Sequence, residues 1–148
     1  MSTNTTIEAE LRESLSSDPR IPDPDEIAVS AEDRALTLRG TVGSFSQRRA
    51  AVDDARRIAG VDYVYDDLQV RLLDEAHRED AEIRGTALQK LVWDTEVPAE
   101  LIEIKVSDGR VTLSGEVSYQ FQSDAAYDDV AGLRGVIAIT NEIRVVNP

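Results

Sequence analysis

Recognition of ions is the chemistry most densely written into this chain. Arg48, Arg49, Arg56 and Arg57 crowd one predicted helix, and arginine is the side chain that clamps phosphates through paired N–H donors. Such a face is the candidate site for an anion or a lipid headgroup. Against that, Asp53 and Asp54 sit among the arginines, and Arg49–Asp53 and Asp53–Arg57 have the i,i+4 spacing of a salt-laced, solvated helix. Asp66 and Asp67, and later Asn141 and Glu142, fall just before the last apolar residues of two predicted strands. Hard cations take such oxygen ligands, so these four form the candidate cation or ligand set, although no calcium-loop pattern surrounds them. Tyr63 and Tyr65 alternate with Val64, which turns both rings away from the predicted core and makes them a candidate partner patch.

Bond-making chemistry is much thinner. His77 is the single histidine and has no serine or second ligand near it in sequence; general acid–base or metal work needs such partners. Cysteine is absent, which removes disulfides and thiolate metal sites. Gly40-x-x-Gly43 is too short for a nucleotide fingerprint. No catalytic residue, metal or cofactor is assigned, and a non-enzyme is expected.

The elements that would carry these residues are written twice. Asp33–Val70 aligns with Asp108–Val145 at an offset of 75 without a gap, and 13 of the 38 positions are identical. Most shared positions are turn glycines, helix alanines and aliphatics; the others are Asp33, Thr37, Gln47, Asp53 and Asp54, and together they preserve packing and turns, with no nucleophile or metal ligand among them. An offset of this length fits a small domain rather than a solenoid repeat. A unit of that size buries only about 60% of its unfolded surface, so two units supporting each other are expected. They are placed at residues 1–73 and 74–148, with 1–4 as a frayed tail and 74–80 as a linker that runs into a helix.

Within each unit the apolar period switches between helix and strand. Thr5 and Glu8 suggest a capping box opening a helix with Ile7, Leu11 and Leu15 on one stripe. Ile83, Ala87 and Leu91 repeat that stripe. Two short strands follow, Glu26–Ser30 and Ala35–Thr41, then again Leu101–Val106 and Arg110–Glu116; Asp108-Gly109 is a hairpin signal. Next comes a helix with Ala51, Ala55 and Ile58 buried, mirrored by Ala126, Val130 and Leu133. Gly60 and Gly135 read as left-handed C-caps before a third strand, where Val64, Leu68, Val70 and Ile139, Ile143, Val145 point inward. Trp93, Tyr119 and Phe121 are assigned to core or inter-unit packing. The order is α-β-β-α-β twice: an α+β fold of two tandem units, each a three-stranded mixed sheet with two helices on one face.

This order, with Leu38-Arg39-Gly40-Thr41-Val42, Ala50-Ala51, Gly60-Val61 and Asp67-Leu68-Gln69-Val70, resembles the BON-domain family, in which a glycine follows the second strand. Val111–Val117, Ala125-Ala126, Gly135-Val136 and Thr140-Asn141-Glu142-Ile143 carry the resemblance again. It spans about residues 5–146. The first unit departs from it by having Asp66-Asp67 where the second has Asn141-Glu142. The resemblance implies a binding module associated with membrane phospholipid, osmotic-stress protection or potassium.

Charge narrows these implications. A net charge of −13 opposes nucleic acid and allows only weak peripheral association with anionic lipid. No apolar run is long enough to span a bilayer. The N-terminal residues lack a basic start and an apolar stretch, which predicts a cytoplasmic protein, or a periplasmic one if a signal has been removed. Three readings stand side by side: a stress-associated binding module for a lipid or protein surface, a cytoplasmic K⁺-sensing protein, and a structural adaptor that binds protein or itself.

Overall fold

The computed structural model describes residues 3–72 and 77–146. The chain divides into two compact units, Met1–Arg71 and Leu72–Pro148. The expected linker start at Asp74–Ala76 lies outside the described residues.

The first unit contains α1 (Thr3–Ser17), β1 (Ile27–Glu32), β2 (Ala35–Val42), α2 (Phe45–Arg56) and β3 (Tyr63–Val70). The second repeats the order with α3 (Asp80–Trp93), β4 (Ile102–Ser107), β5 (Arg110–Val117), α4 (Gln120–Ala131) and β6 (Ala138–Val145). Each sheet has an antiparallel hairpin and a parallel third strand, in orders β1-β2-β3 and β4-β5-β6. Register is preserved: Ile27 faces Gly40 as Ile102 faces Gly115, and Gly40 faces Leu68 as Gly115 faces Ile143. The two-unit α+β fold expected from the repeat is the fold observed.

Apolar periodicity explains the layers. Ile7, Leu11 and Leu15 line one stripe of α1 and are buried with Val29, Leu36, Leu38, Ala51, Ala55 and Leu68. Ile83, Ala87, Leu91, Ile104, Val111, Leu113, Ala126 and Val130 are buried in the second unit. The repeat therefore extends back through the first helix of each unit. There the offset is 76, as Ile7/Ile83 and Ile21/Val97 show, and it becomes 75 at Ile27/Ile102.

Several local expectations are corrected. The first helix begins at Thr3, so Thr5 lies inside it rather than at the N-cap, and Glu8 is spent elsewhere: its Oε1 accepts the Ala31 amide at 2.9 Å, tying α1 to β1. Strand β1 runs to Glu32 because the turn is only two residues long. Asp33 and Arg34 take φ of 49° and 67°, as Asp108 and Gly109 take 50° and 78°, the two left-handed residues of a type I′ hairpin turn. Ser44 Oγ accepts the Gln47 amide at 3.1 Å, while the Gln47 side chain accepts the Gly43 amide at 2.8 Å. Gly40 and Gly115 lie within β2 and β5, inside the strand spans that the apolar pattern predicts.

Val145, expected inward, is exposed, and Leu133 is only half-buried. Trp93, Tyr119 and Phe121 stay out of the core of their unit, at 73%, 60% and 52% exposure. His77 is exposed and precedes α3 rather than belonging to it.

Candidate functional site

Strand alternation separates the first pair of candidate acids. Asp66 shares a face of β3 with Val64, Leu68 and Val70, toward α2, where Arg48 Nε donates to its Oδ2 at 2.8 Å. Its Oδ1 accepts the Leu68 amide at 3.0 Å. Asp67 points to the other face and meets Arg39 of the neighbouring strand at 3.6 Å. Asn141 is the counterpart of Asp66: its Nδ2 donates to Ser123 Oγ on α4 at 3.0 Å and its Oδ1 accepts the Ile143 amide at 3.1 Å. Glu142 is exposed on the opposite face. Arg48–Asp66 and Ser123–Asn141 are thus one structural link made with two chemistries. In both, a strand residue pins the sheet to the second helix and occupies a backbone amide of an edge strand, an amide then not offered to a further strand.

Of the four helix arginines, Arg48 is committed to Asp66 and also stands 6.0 Å over the Phe45 ring. Arg49 is half-buried, while Arg56 and Arg57 are exposed. Arg57 borders a cavity of about 530 Å³ with Ser14, Ser17, Asp18, Arg20 and Asp54. Tyr63 and Tyr65 are 59% and 52% exposed, with ring centroids 4.7 Å apart. They share the helix-free face of β3 with Asp67.

An acid pair in each unit escaped the sequence reading. Asp18, just past α1, and Asp54, on α2, bring their carboxyl groups together, and Arg20 bridges them at 2.8 Å to Asp18 and 3.3 Å to Asp54. The hydrogen bonds from Arg20 hold Asp18 well below the ordinary carboxylate range. Burial, then the contact with Asp18, pushes Asp54 up to about 6. In the second unit Asp94 meets Asp129, which burial and then Asp94 push up to about 7. Recurrence of Asp54 at Asp129 was visible in the sequence. Their partners were not, because Asp18 and Asp94 correspond at an offset of 76, which becomes 75 only after Ile21/Val97. Among the described residues no group of three or more His, Cys, Asp or Glu is placed to hold a metal ion.

Two duplicated α+β units, with polar links between sheet and second helix and an acid pair in each, define a tandem small-domain protein. The BON domain model matches residues 3–71 and 79–147, and the chain belongs to the BON-domain family. It is 32% identical over 123 residues to osmotically-inducible protein Y of Escherichia coli (strain K12), an alignment covering 80% of this chain and 61% of that protein's length. Two solved structures of CdsD, a structural protein of the type III secretion system of Chlamydia trachomatis, match 97% of the chain. Their identities are 14% and 13% and their TM-scores 0.41 and 0.40, and 64% and 67% of those chains are covered. Among the described residues no helix is long and apolar enough to cross a membrane.

Proposed function

We propose that the chain is a stress-associated tandem BON module that acts by binding and catalyses no reaction, and that its contact surface is the helix-free face of the first sheet. The observation that carries this reading is the exposed Tyr63–Tyr65 pair. The two rings lie 4.7 Å apart on a strand whose opposite face is committed to the core, and aromatic rings with a polar tip suit a surface that is part apolar and part wet. Kinship to an osmotically inducible protein supports the stress association. Lipid headgroups and a protein surface, a second copy included, are the two contact classes.

The cation reading has weaker support. Asp66 is held by Arg48, Asp67 by Arg39 and Asn141 by Ser123, so a cation would have to displace existing partners.

Titration of the labelled chain with phosphatidylcholine and phosphatidylglycerol vesicles, and against its own concentration, tests the proposal by NMR. Broadening centred on Tyr63, Tyr65 and neighbouring residues of β3, removed by Tyr63→Ser with Tyr65→Ser, is the expected result. Perturbation centred on Arg56 and Arg57 instead would move the contact to the helix. A flat response in every arm would remove lipid and self-association as the contacts of this face.

A further inference from the structure

The two acid pairs occupy one place in the fold. Asp18 and Asp94 each accept, at 2.9 Å, the amide of the residue two positions on, and their own carbonyls accept the amides of Ile21 and Val97. Each carboxyl lies within hydrogen-bonding reach of an aspartate from the second helix of its unit, Asp54 or Asp129. Asp54 is 7% exposed, and Oδ2 of both Asp54 and Asp129 is shut from solvent without a hydrogen-bond partner. Two ionised carboxylates have only acceptors to offer each other, so such a contact repels unless one of them carries a proton.

What surrounds the pairs differs. In the first unit the Arg20 guanidinium touches both acids, Arg57 borders the same cavity, and Asp53 stands beside Asp54 on α2. In the second unit Glu96 stands where Arg20 does. The cavity there, of about 340 Å³, is lined by Asp94, Glu96, Asp124, Asp128 and Asp129. Lys90 on α3 is the base acting on Asp129.

We propose that Asp94 and Asp129 share one proton that latches the end of α3 to α4, and that loss of this proton to solvent as pH rises past neutrality loosens the Asp94–Val97 turn, while Arg20 holds the equivalent turn of the first unit closed. Direction follows from burial and charge. Burial, the hydrogen bond to Asp94 and the charge of Asp94 together push Asp129 up to about 7, against the pull of Lys90. The bond to Asp129 in turn lowers Asp94. A native proton that the unfolded chain has already shed stabilises the fold fully at low pH, and that contribution is lost as pH climbs from the ordinary value of 3.8 toward 7. Below 3.8 the lowered Asp94 works the other way, so the contribution of the pair peaks near pH 4.

Side-chain carboxyl NMR of the full chain between pH 4 and 9 tests the latch, joined to urea unfolding and amide exchange at pH 5 and 8. Asp129 should titrate near 7. The unfolding equilibrium of the second unit should shift by roughly tenfold or more between the two pH values relative to Asp129→Asn, whose amide still donates to Asp94 but carries no titrating proton. Amide protection factors, which remove the intrinsic rise of exchange with pH, should fall at Asp94–Val97 and not at Asp18–Ile21. If Asp129 titrates near pH 4, the proposal falls, and that reading needs no variant to fold. It falls equally if Asp129→Asn keeps the pH dependence of the parent, or if both turns loosen together.

Discussion

Arg20 and Glu96 stand at the same point of the two repeats, each giving its amide at 2.9 Å to the aspartate two residues before it, and they carry opposite charges. Backbone geometry is conserved between the units while the electrostatics of the acid pair behind it is reversed. One pair is neutralised by a guanidinium; the other faces three further carboxylates.

Restoring the missing base should make the second unit behave like the first. Glu96→Arg places a cation beside Asp94 and Asp129, so the titration of Asp129 should move down from about 7, because an opposite charge within a few ångströms favours the ionised form. Stability should then fall less steeply between about pH 4 and pH 7. Carboxyl NMR on the variant decides it, and an unmoved Asp129 midpoint would mean that Glu96 does not reach the pair.

The sheet-to-helix link gives a second prediction. Arg48 and Asp66 meet at 2.8 Å with side chains 28% and 27% exposed, and the second unit makes the same link with Ser123 and Asn141. Arg48→Ser should cost about 1–2 kcal/mol, since it leaves Asp66 without its cation. Asp66→Asn in that background should recover part of the loss, with a coupling of about 1 kcal/mol in a double-mutant cycle. Strict additivity in urea unfolding would show that the two side chains do not act as a unit.

Elements with strong periodicity were legible in the sequence, and contacts between distant residues were not. Strands β2 and β3 and the stripes of α1 and α3 follow from apolar spacing. Gly60 and Gly135 have the positive φ expected of them, 90° and 89°, but they are not the C-caps: α2 and α4 are capped by Arg57 and Gly132 at negative φ, and each glycine turns the chain three residues later. The start of α1 is hidden in the sequence because Glu8 has the spacing of a capping residue but reaches β1, 23 positions away. The first hairpin was blurred because Arg34 adopts a conformation usually signalled by glycine. Asp66 and Asp67 read as one ligand set by adjacency in sequence, but a period of two sends them to opposite faces of β3. Asp18 and Asp54, 36 positions apart in the numbering, carry no local pattern at all.

Asp80 offers a third test. Its two carboxyl oxygens accept the amides of Asp108 and Gly109 at 2.8 and 3.0 Å, so one side chain at the start of α3 holds the β4–β5 turn. Asp80→Ala should cost about 1–3 kcal/mol, because both turn amides lose a charged acceptor. Asp80→Asn keeps one carbonyl oxygen and should lose less. Denaturation of the two variants, with amide exchange at Asp108 and Gly109, tests the assignment; equal losses would point to helix-end charge rather than to the turn.

The glycines give an ordered series, because four of them combine positive φ with very different surroundings. An added Cβ at Gly40 would lie 2.0 Å from the Glu26 carbonyl oxygen, and one at Gly115 would lie 2.1 Å from that of Leu101. Neither strand can yield without breaking the hairpin register. At Gly135 the new carbon would meet Arg78 Cβ at 2.8 Å and Ile83 Cδ1 at 3.0 Å, side-chain atoms that can shift in part. At Gly60 its nearest neighbour is Ile7 Cδ1 at 3.7 Å, an ordinary contact. Gly60→Ala should therefore cost only the conformational penalty, about 1–2 kcal/mol. Gly135→Ala should cost more by the strain of overpacking, about 1–3 kcal/mol further. Gly40→Ala and Gly115→Ala should exceed about 4 kcal/mol or leave the affected unit unfolded, which places them among the exceptional substitutions. Urea unfolding of the four alanine variants reads the order directly. Gly40→Ala behaving like Gly60→Ala would mean that the close approach of β2 to Glu26 is absent in solution.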